Sequence, residues 1–189
     1  ISVLPAFTLN SGRGDIISAS ILIQGRTNVN RFELKYTATD FEDLSSLFRL
    51  KITDNVLTGS LVVPVRDFKS KPEKVRDDFL RLTDAGKNPF ITIRLLQDIS
   101  LPAGHIYTVL PVSVMMAGNS NTYPVNCRIE RTDENSLLFE GQQTISLTDY
   151  GIDPPEKVVG MIKVENDLVI NFSVNFTVTE QLFPKKSEI

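Results

Sequence analysis

The feature that most constrains this chain is a strict two-residue alternation near its C-terminal end. Leu168, Ile170, Phe172, Val174, Phe176 and Val178 point one way. Asn171, Ser173, Asn175 and Thr177 point the other, with Val169 the single apolar member of that set. A period of two marks a strand with one buried and one wet face. At roughly 3.4 Å per residue, the run is long enough to cover the height of a tilted barrel. Shorter runs repeat the pattern. Phe32, Leu34 and Tyr36 alternate with Glu33 and Lys35, and Phe48, Leu50 and Ile52 with Arg49 and Lys51. Ile91, Ile93 and Leu95 alternate with Thr92 and Arg94, and Tyr123, Val125, Cys127 and Ile129 with their polar neighbours. Leu137, Phe139, Ile145 and Leu147 share a face with Gly141 and Gln143. Weaker strand candidates run over 18–24, 57–65, 107–116 and 161–165.

Turn chemistry separates these runs, at Thr53-Asp54-Asn55, Gly118-Asn119-Ser120-Asn121 and Thr132-Asp133-Glu134-Asn135. Pro64, Pro111 and Pro124 fall inside strand candidates and lack a ladder N–H, which predicts bulges, kinks or barrel rims there. One helix interrupts the strands around residues 72–85. Pro72 suits its first turn, Val75, Phe79 and Leu82 share a face, and Gly86 is a natural stop. A helix cannot continue a sheet, so it is expected to lie across the barrel wall or one opening. No linker, repeat or low-complexity tract divides the chain, so residues 1–189 are expected to form one all-β barrel domain with its core over about 16–180.

The chain is long enough to bury a core without disulfides or metals. Its net charge of -3 argues against nucleic acid as the main partner, which needs a basic surface. Lys69-Ser70-Lys71 and Lys185-Lys186 are short basic pieces, expected to be solvated surface. The lone Cys127 permits no intrachain disulfide and does not fix the redox compartment. No apolar run approaches the ~18 residues of a membrane-spanning helix. The chain starts at Ile1 without a methionine, which fits a cleaved export signal or a trimmed chain equally.

Catalytic constellations are scarce. His105 is the only histidine, which excludes a multi-histidine metal site and leaves any catalytic triad to rest on one residue after a Pro-Ala-Gly turn. No nucleophile elbow, P-loop or dinucleotide fingerprint is present. Arg13-Gly14-Asp15 spells a tripeptide that can act in adhesion but recurs freely by chance. Asp77-Asp78 and Asp149 with Asp153 are the closest carboxylate pairs, and a solvated helix face and hydrogen-bonded turns account for them. Sequons at Asn171 and Asn175 lie inside a regular strand, a poor acceptor context. What remains is an interior of Phe, Leu, Ile, Val and Met. Periodicity alone leaves open whether it is a filled core or a tunnel.

The stretch Ile145-Ser146-Leu147-Thr148-Asp149-Tyr150-Gly151-Ile152-Asp153-Pro154-Pro155 resembles a signature of the YceI-like, polyisoprenoid-binding family, with Tyr150 in place of the usual phenylalanine. The segment from Gly160 to Asp167 and the strand after it are similar to that family's ending. Looser likenesses cover Leu82 to Ile91, which is similar to the family's helix end, and Ala117 to Val125, its glycine hairpin. At the front, Gly25 to Phe32 departs from the family's histidine and second glycine. The resemblance implies an eight-stranded antiparallel lipocalin-like barrel with an apolar tunnel for an isoprenoid quinone or related polyprenyl lipid. It also implies an exported bacterial protein, periplasmic or secreted, with no required cofactor and no fixed catalytic set.

On that basis Phe32, Leu34, Phe48, Phe79, Phe90, Ile93, Phe139, Phe172 and Val174 are the candidate lipid-lining residues. Gln143 is a candidate polar contact or simply a rim residue. Burying lipid contributes ~0.8 kcal/mol per CH₂ against ~1 kcal/mol for one net hydrogen bond, so a long tail would dominate affinity. The expectation is a lipid-binding or carrier protein rather than an enzyme, with a homodimer left open. Two rivals stay open: a filled barrel that binds a protein on its outside, and a lipid hydrolase or isomerase resting on His105.

Overall fold

A computed structural model describes residues 12–39, 48–53, 56–133, 135–157 and 161–180. Its strands are β1 (Gly12–Arg26), β2 (Arg31–Ala38), β3 (Phe48–Thr53), β4 (Val56–Pro64), β5 (Phe90–Leu95) and β6 (Ile99–Ser100), followed by β7 (His105–Met116), β8 (Asn119–Arg131), β9 (Ser136–Ser146), β10 (Glu156–Lys157), β11 (Ile162–Lys163) and β12 (Asp167–Glu180). Among the described residues one α-helix, α1 (Glu73–Leu82), lies between β4 and β5. Among the described residues no helix is long and apolar enough to cross a membrane.

All pairings are antiparallel, and the hydrogen-bonded path runs β2-β1-β12-β9-β8-β7-β5-β4-β3, with the two-residue β6 beside β4 and a separate β10–β11 pair. Nine strands therefore stand on the path where eight were expected. β2 pairs only with residues 19–26 of β1, and β3 also approaches that long strand. The free edge of β2 is also strapped. Lys35 and Lys69 exchange both backbone hydrogen bonds at 2.8 Å, and the Ser70 hydroxyl donates to the Glu33 carbonyl at 2.6 Å.

The expected strand over 168–178 is β12, seated between β1 and β9. Asn171 and Asn175, the sequon positions, spend their side chains on cross-strand bonds, Asn171 donating to Gln24 and Asn175 to Ser18. In β1 a register shift between Ile16 and Ser18 turns Ile17 outward and lets Ile16 and Ala19 both face the core. That bulge breaks the alternation, so the sequence showed only the part from Ser18 onward. The Arg13-Gly14-Asp15 backbone is paired with Thr177, Val178 and Thr179 of β12 rather than displayed on a loop.

Two expectations about local breaks change. The β7–β8 turn is made by Ala117 and Gly118, both at positive φ (51° and 81°), and β8 already begins at Asn119. Two successive positive φ angles match the twist of a two-residue hairpin. Pro111 and Pro124 sit directly opposite each other in unbroken register. Each lies just beyond the point where its outer neighbour stops pairing, at Val112 for β5 and Asn126 for β8's partner β9, so no ladder donor is lost.

Successive turns put the end of β1, the start of β2, the β7–β8 turn, the end of β9 and helix α1 at one end of the barrel. There Phe79 of α1 packs edge-on against Phe68, which tilts against Tyr36 of β2, with ring centroids 5.5 and 5.7 Å apart. Through Phe79 the helix thus reaches the barrel interior beside β2.

Candidate functional site

Among the described residues, inward side chains of β1, β4, β5, β7, β8, β9 and β12 line an interior cavity of about 140 Å³. Among the described residues its lining is apolar apart from Gln143. Of the residues proposed from sequence, Phe79, Ile93, Phe139, Gln143, Phe172 and Val174 line it. The others are placed elsewhere. Leu34 is buried opposite Ile23 in the β1–β2 pairing, outside the cavity wall. Phe32 lays its ring over Gly25 and borders an outer groove. Phe90 is 47% exposed, because it is one residue out of phase with Ile91 and Ile93 on a strand of period two. Phe48 pairs with Leu61 through its backbone, and its side chain lies outside the described residues.

Sequence reasoning missed more of the wall than it named. Val112, Val114 and Met116 of β7, with Leu61 and Val63 of β4, come from strands whose alternation was weak. Phe68 sits in no regular element and carried no periodic signal.

Phe172 lines the cavity beside Gly141 of β9. They are opposite each other in β12 and β9, and a Cβ on Gly141 would fall within the Phe172 ring and 2.7 Å from the Asn126 carbonyl oxygen. The missing side chain therefore leaves the space over Gly141 to the Phe172 ring. Gln143, two residues on, is half-buried and turns its amide NH₂ to the Thr144 carbonyl at 2.7 Å. Cys127 is buried in the same wall, where desolvation pushes its thiol up to about 11. That keeps it protonated and unreactive.

The late-loop motif closes the helix-bearing end. Leu147–Tyr150 makes one 3₁₀ turn, and Tyr150 is 1% exposed with its hydroxyl directed to the Val114 carbonyl at 3.4 Å. Asn119 and Asn121 donate to the carbonyls of Tyr150 and Asp149, and the Tyr123 hydroxyl donates to the Asp149 carboxylate at 2.9 Å. Burial, then hydrogen bonds to Tyr150 and Asp149, drive the Tyr123 phenol well above its ordinary value. Asp149 is thus a structural acceptor. Of the other acidic candidates, Asp78 is held by Arg81 at 3.0 Å. His105 opens β7 on the surface, edge-on to Tyr107 at 6.1 Å.

The backbone path coincides with that of two solved structures. The fold is shared with a polyisoprenoid binding domain from Saccharophagus degradans implicated in plant cell wall breakdown. The TM-score is 0.66 at 7% identity, covering 89% of this chain and 99% of that one. It is also shared with BcnA of Burkholderia cenocepacia, at a TM-score of 0.57 and 13% identity over 83% of this chain and 95% of that one. No family model and no curated protein matches the sequence. The architecture is a lipocalin-like barrel, and the likeness lies in the backbone path rather than in residue identity.

Proposed function

We propose that the barrel binds and carries an elongated apolar lipid, such as an isoprenoid quinone or a polyprenyl compound. The observation that carries this reading is an interior cavity whose only polar lining side chain among the described residues is Gln143. A polar or charged ligand would be desolvated there without compensation, whereas each buried CH₂ contributes about 0.8 kcal/mol. The cavity of about 140 Å³ is smaller than the roughly 300–1,000 Å³ of ordinary small-molecule sites. A tail therefore enters by displacing flexible lining groups, for which Phe79, Phe172 and Met116 are placed on the wall. Among the described lining residues Gln143 is the side chain able to hydrogen-bond a head group. The chain acts as a carrier rather than a catalyst, in the periplasm or after secretion, and needs no cofactor. The Saccharophagus domain of the same fold, described as polyisoprenoid binding, supports this reading.

Native mass spectrometry of the purified chain before and after organic extraction tests it. The expected result is an extractable mass that identifies as a quinone or polyprenyl lipid. A chain that carries no lipid and takes none up from added quinone would overturn it. The rival reading, a protein-binding barrel, draws on the outer face of β7, where Tyr107 is 75% exposed beside Val109.

A further inference from the structure

We infer that the helix-bearing end of the barrel docks on the surface of an anionic lipid bilayer, through a cationic groove flanked by two exposed apolar side chains. The groove lies between β2 and the segment leading into α1, and encloses about 1180 Å³. Arg31, Lys35, Arg66, Lys69, Lys71 and Arg76 line it, against three acidic side chains. All but Arg76 are exposed, and none of those five reaches a carboxylate within ion-pair distance among the described residues. In a chain of net charge -3 this is a local excess of the opposite sign. It is also assembled against local preference. Lys35 and Lys69 are direct partners in an antiparallel bridge, and like charges placed opposite each other are destabilising. An external anionic surface relieves that repulsion.

The second observation is at the same end. Val29, two residues before Arg31, is 67% exposed, and Met161 is 70% exposed. Asn28 ties both segments together. Its amide NH₂ donates to the Met161 carbonyl at 2.9 Å, and its amide oxygen accepts from the Lys163 N–H at 3.0 Å. The segments that carry these two apolar side chains are thus held together, with Val29 two residues from Arg31 of the groove. A free phosphate or a nucleic acid would use the cations and leave the apolar pair in water. A bilayer of anionic lipids offers phosphate to one and an apolar layer to the other. The inference goes beyond the carrier reading and does not depend on it, because docking is measured without reference to what fills the interior.

The test is co-sedimentation of the full chain with vesicles of phosphatidylcholine, alone or mixed with phosphatidylglycerol. Binding is expected only to the mixed vesicles and is expected to fall as salt is raised. Lys35→Gln, Lys69→Gln and Lys71→Gln should each weaken it about fivefold. The double variant Val29→Ser with Met161→Ser should weaken it without changing the salt dependence. Unchanged circular dichroism and melting would show that each variant is folded. Equal binding to neutral vesicles, no binding to mixed vesicles at low salt, or indifference to the lysine changes would each overturn the proposal. So would displacement by inorganic phosphate at constant ionic strength, which would mark a free-anion site.

Discussion

Replacing Gly141 by alanine will drive the Phe172 ring off the barrel wall and into the cavity. The new Cβ would occupy the space of the ring and lie 2.7 Å from the Asn126 carbonyl oxygen of β8. The two obstacles differ in kind. The ring is the far end of a side chain and can rotate away. The carbonyl belongs to the strand carrying the adjacent Asn126–Gln142 and Cys127–Gly141 pairs, so it moves only if that ladder distorts. Overpacking a well-filled site typically costs about 1–3 kcal/mol, and with both obstacles present we expect about 2 kcal/mol. In a Phe172→Ala background only the backbone obstacle remains, and the cost should fall to about 1 kcal/mol, a coupling within the usual range for touching residues. For a chain of this length, about 2 kcal/mol corresponds to a fall in Tm of roughly 4–8 °C. Urea unfolding of the four members of the cycle, followed by circular dichroism, measures each value. Because the displaced ring must share a cavity of about 140 Å³, Gly141→Ala should also retain less lipid in native mass spectrometry. A Gly141→Ala cost that is the same in both backgrounds, or near zero in the parent, would refute this account.

Tyr150→Phe should lower stability by no more than about 1 kcal/mol, since its hydroxyl bond is long, while Tyr150→Ala should cost about 3–5 kcal/mol by emptying a fully buried site. Chemical denaturation of the pair separates ring from hydroxyl. Cys127 should resist alkylation in the folded chain at mildly alkaline pH and react fully in urea, as a thiol count would show. Burial raises the phenol of Tyr123, and also that of Tyr150, so the folded state holds protons that the unfolded chain releases above about pH 10. Their contribution to stability is therefore complete below that pH and is lost as pH rises beyond it. Phenolate absorbance should develop for these two tyrosines only together with unfolding.

The site was half legible in the sequence, and the reasons are particular. Phe139, Phe172 and Val174 stand in long runs whose alternation is a local property, so their inward direction could be read directly. Phe90 was misassigned although the same rule, applied to Ile91 and Ile93, puts it outside. Phe32 and Leu34 do face inward from β2, yet they meet Gly25 and Ile23 rather than the cavity, because of where β2 pairs along β1. The Ile16/Ser18 bulge erased the phase of β1, and Phe68 lies where no period exists.

The Leu168 to Val178 strand, the apolar character of its inner face and the helix between two strands follow from the sequence by itself, because side-chain period and helix spacing depend on near neighbours. The likeness of the late loop to a lipid-binding family was readable there too. Only the tertiary structure decided that β3 returns to β1, that Lys35 meets Lys69, and that the interior retains a small apolar cavity. Those outcomes depend on contacts between residues far apart in the chain, whose register and volumes no local pattern encodes.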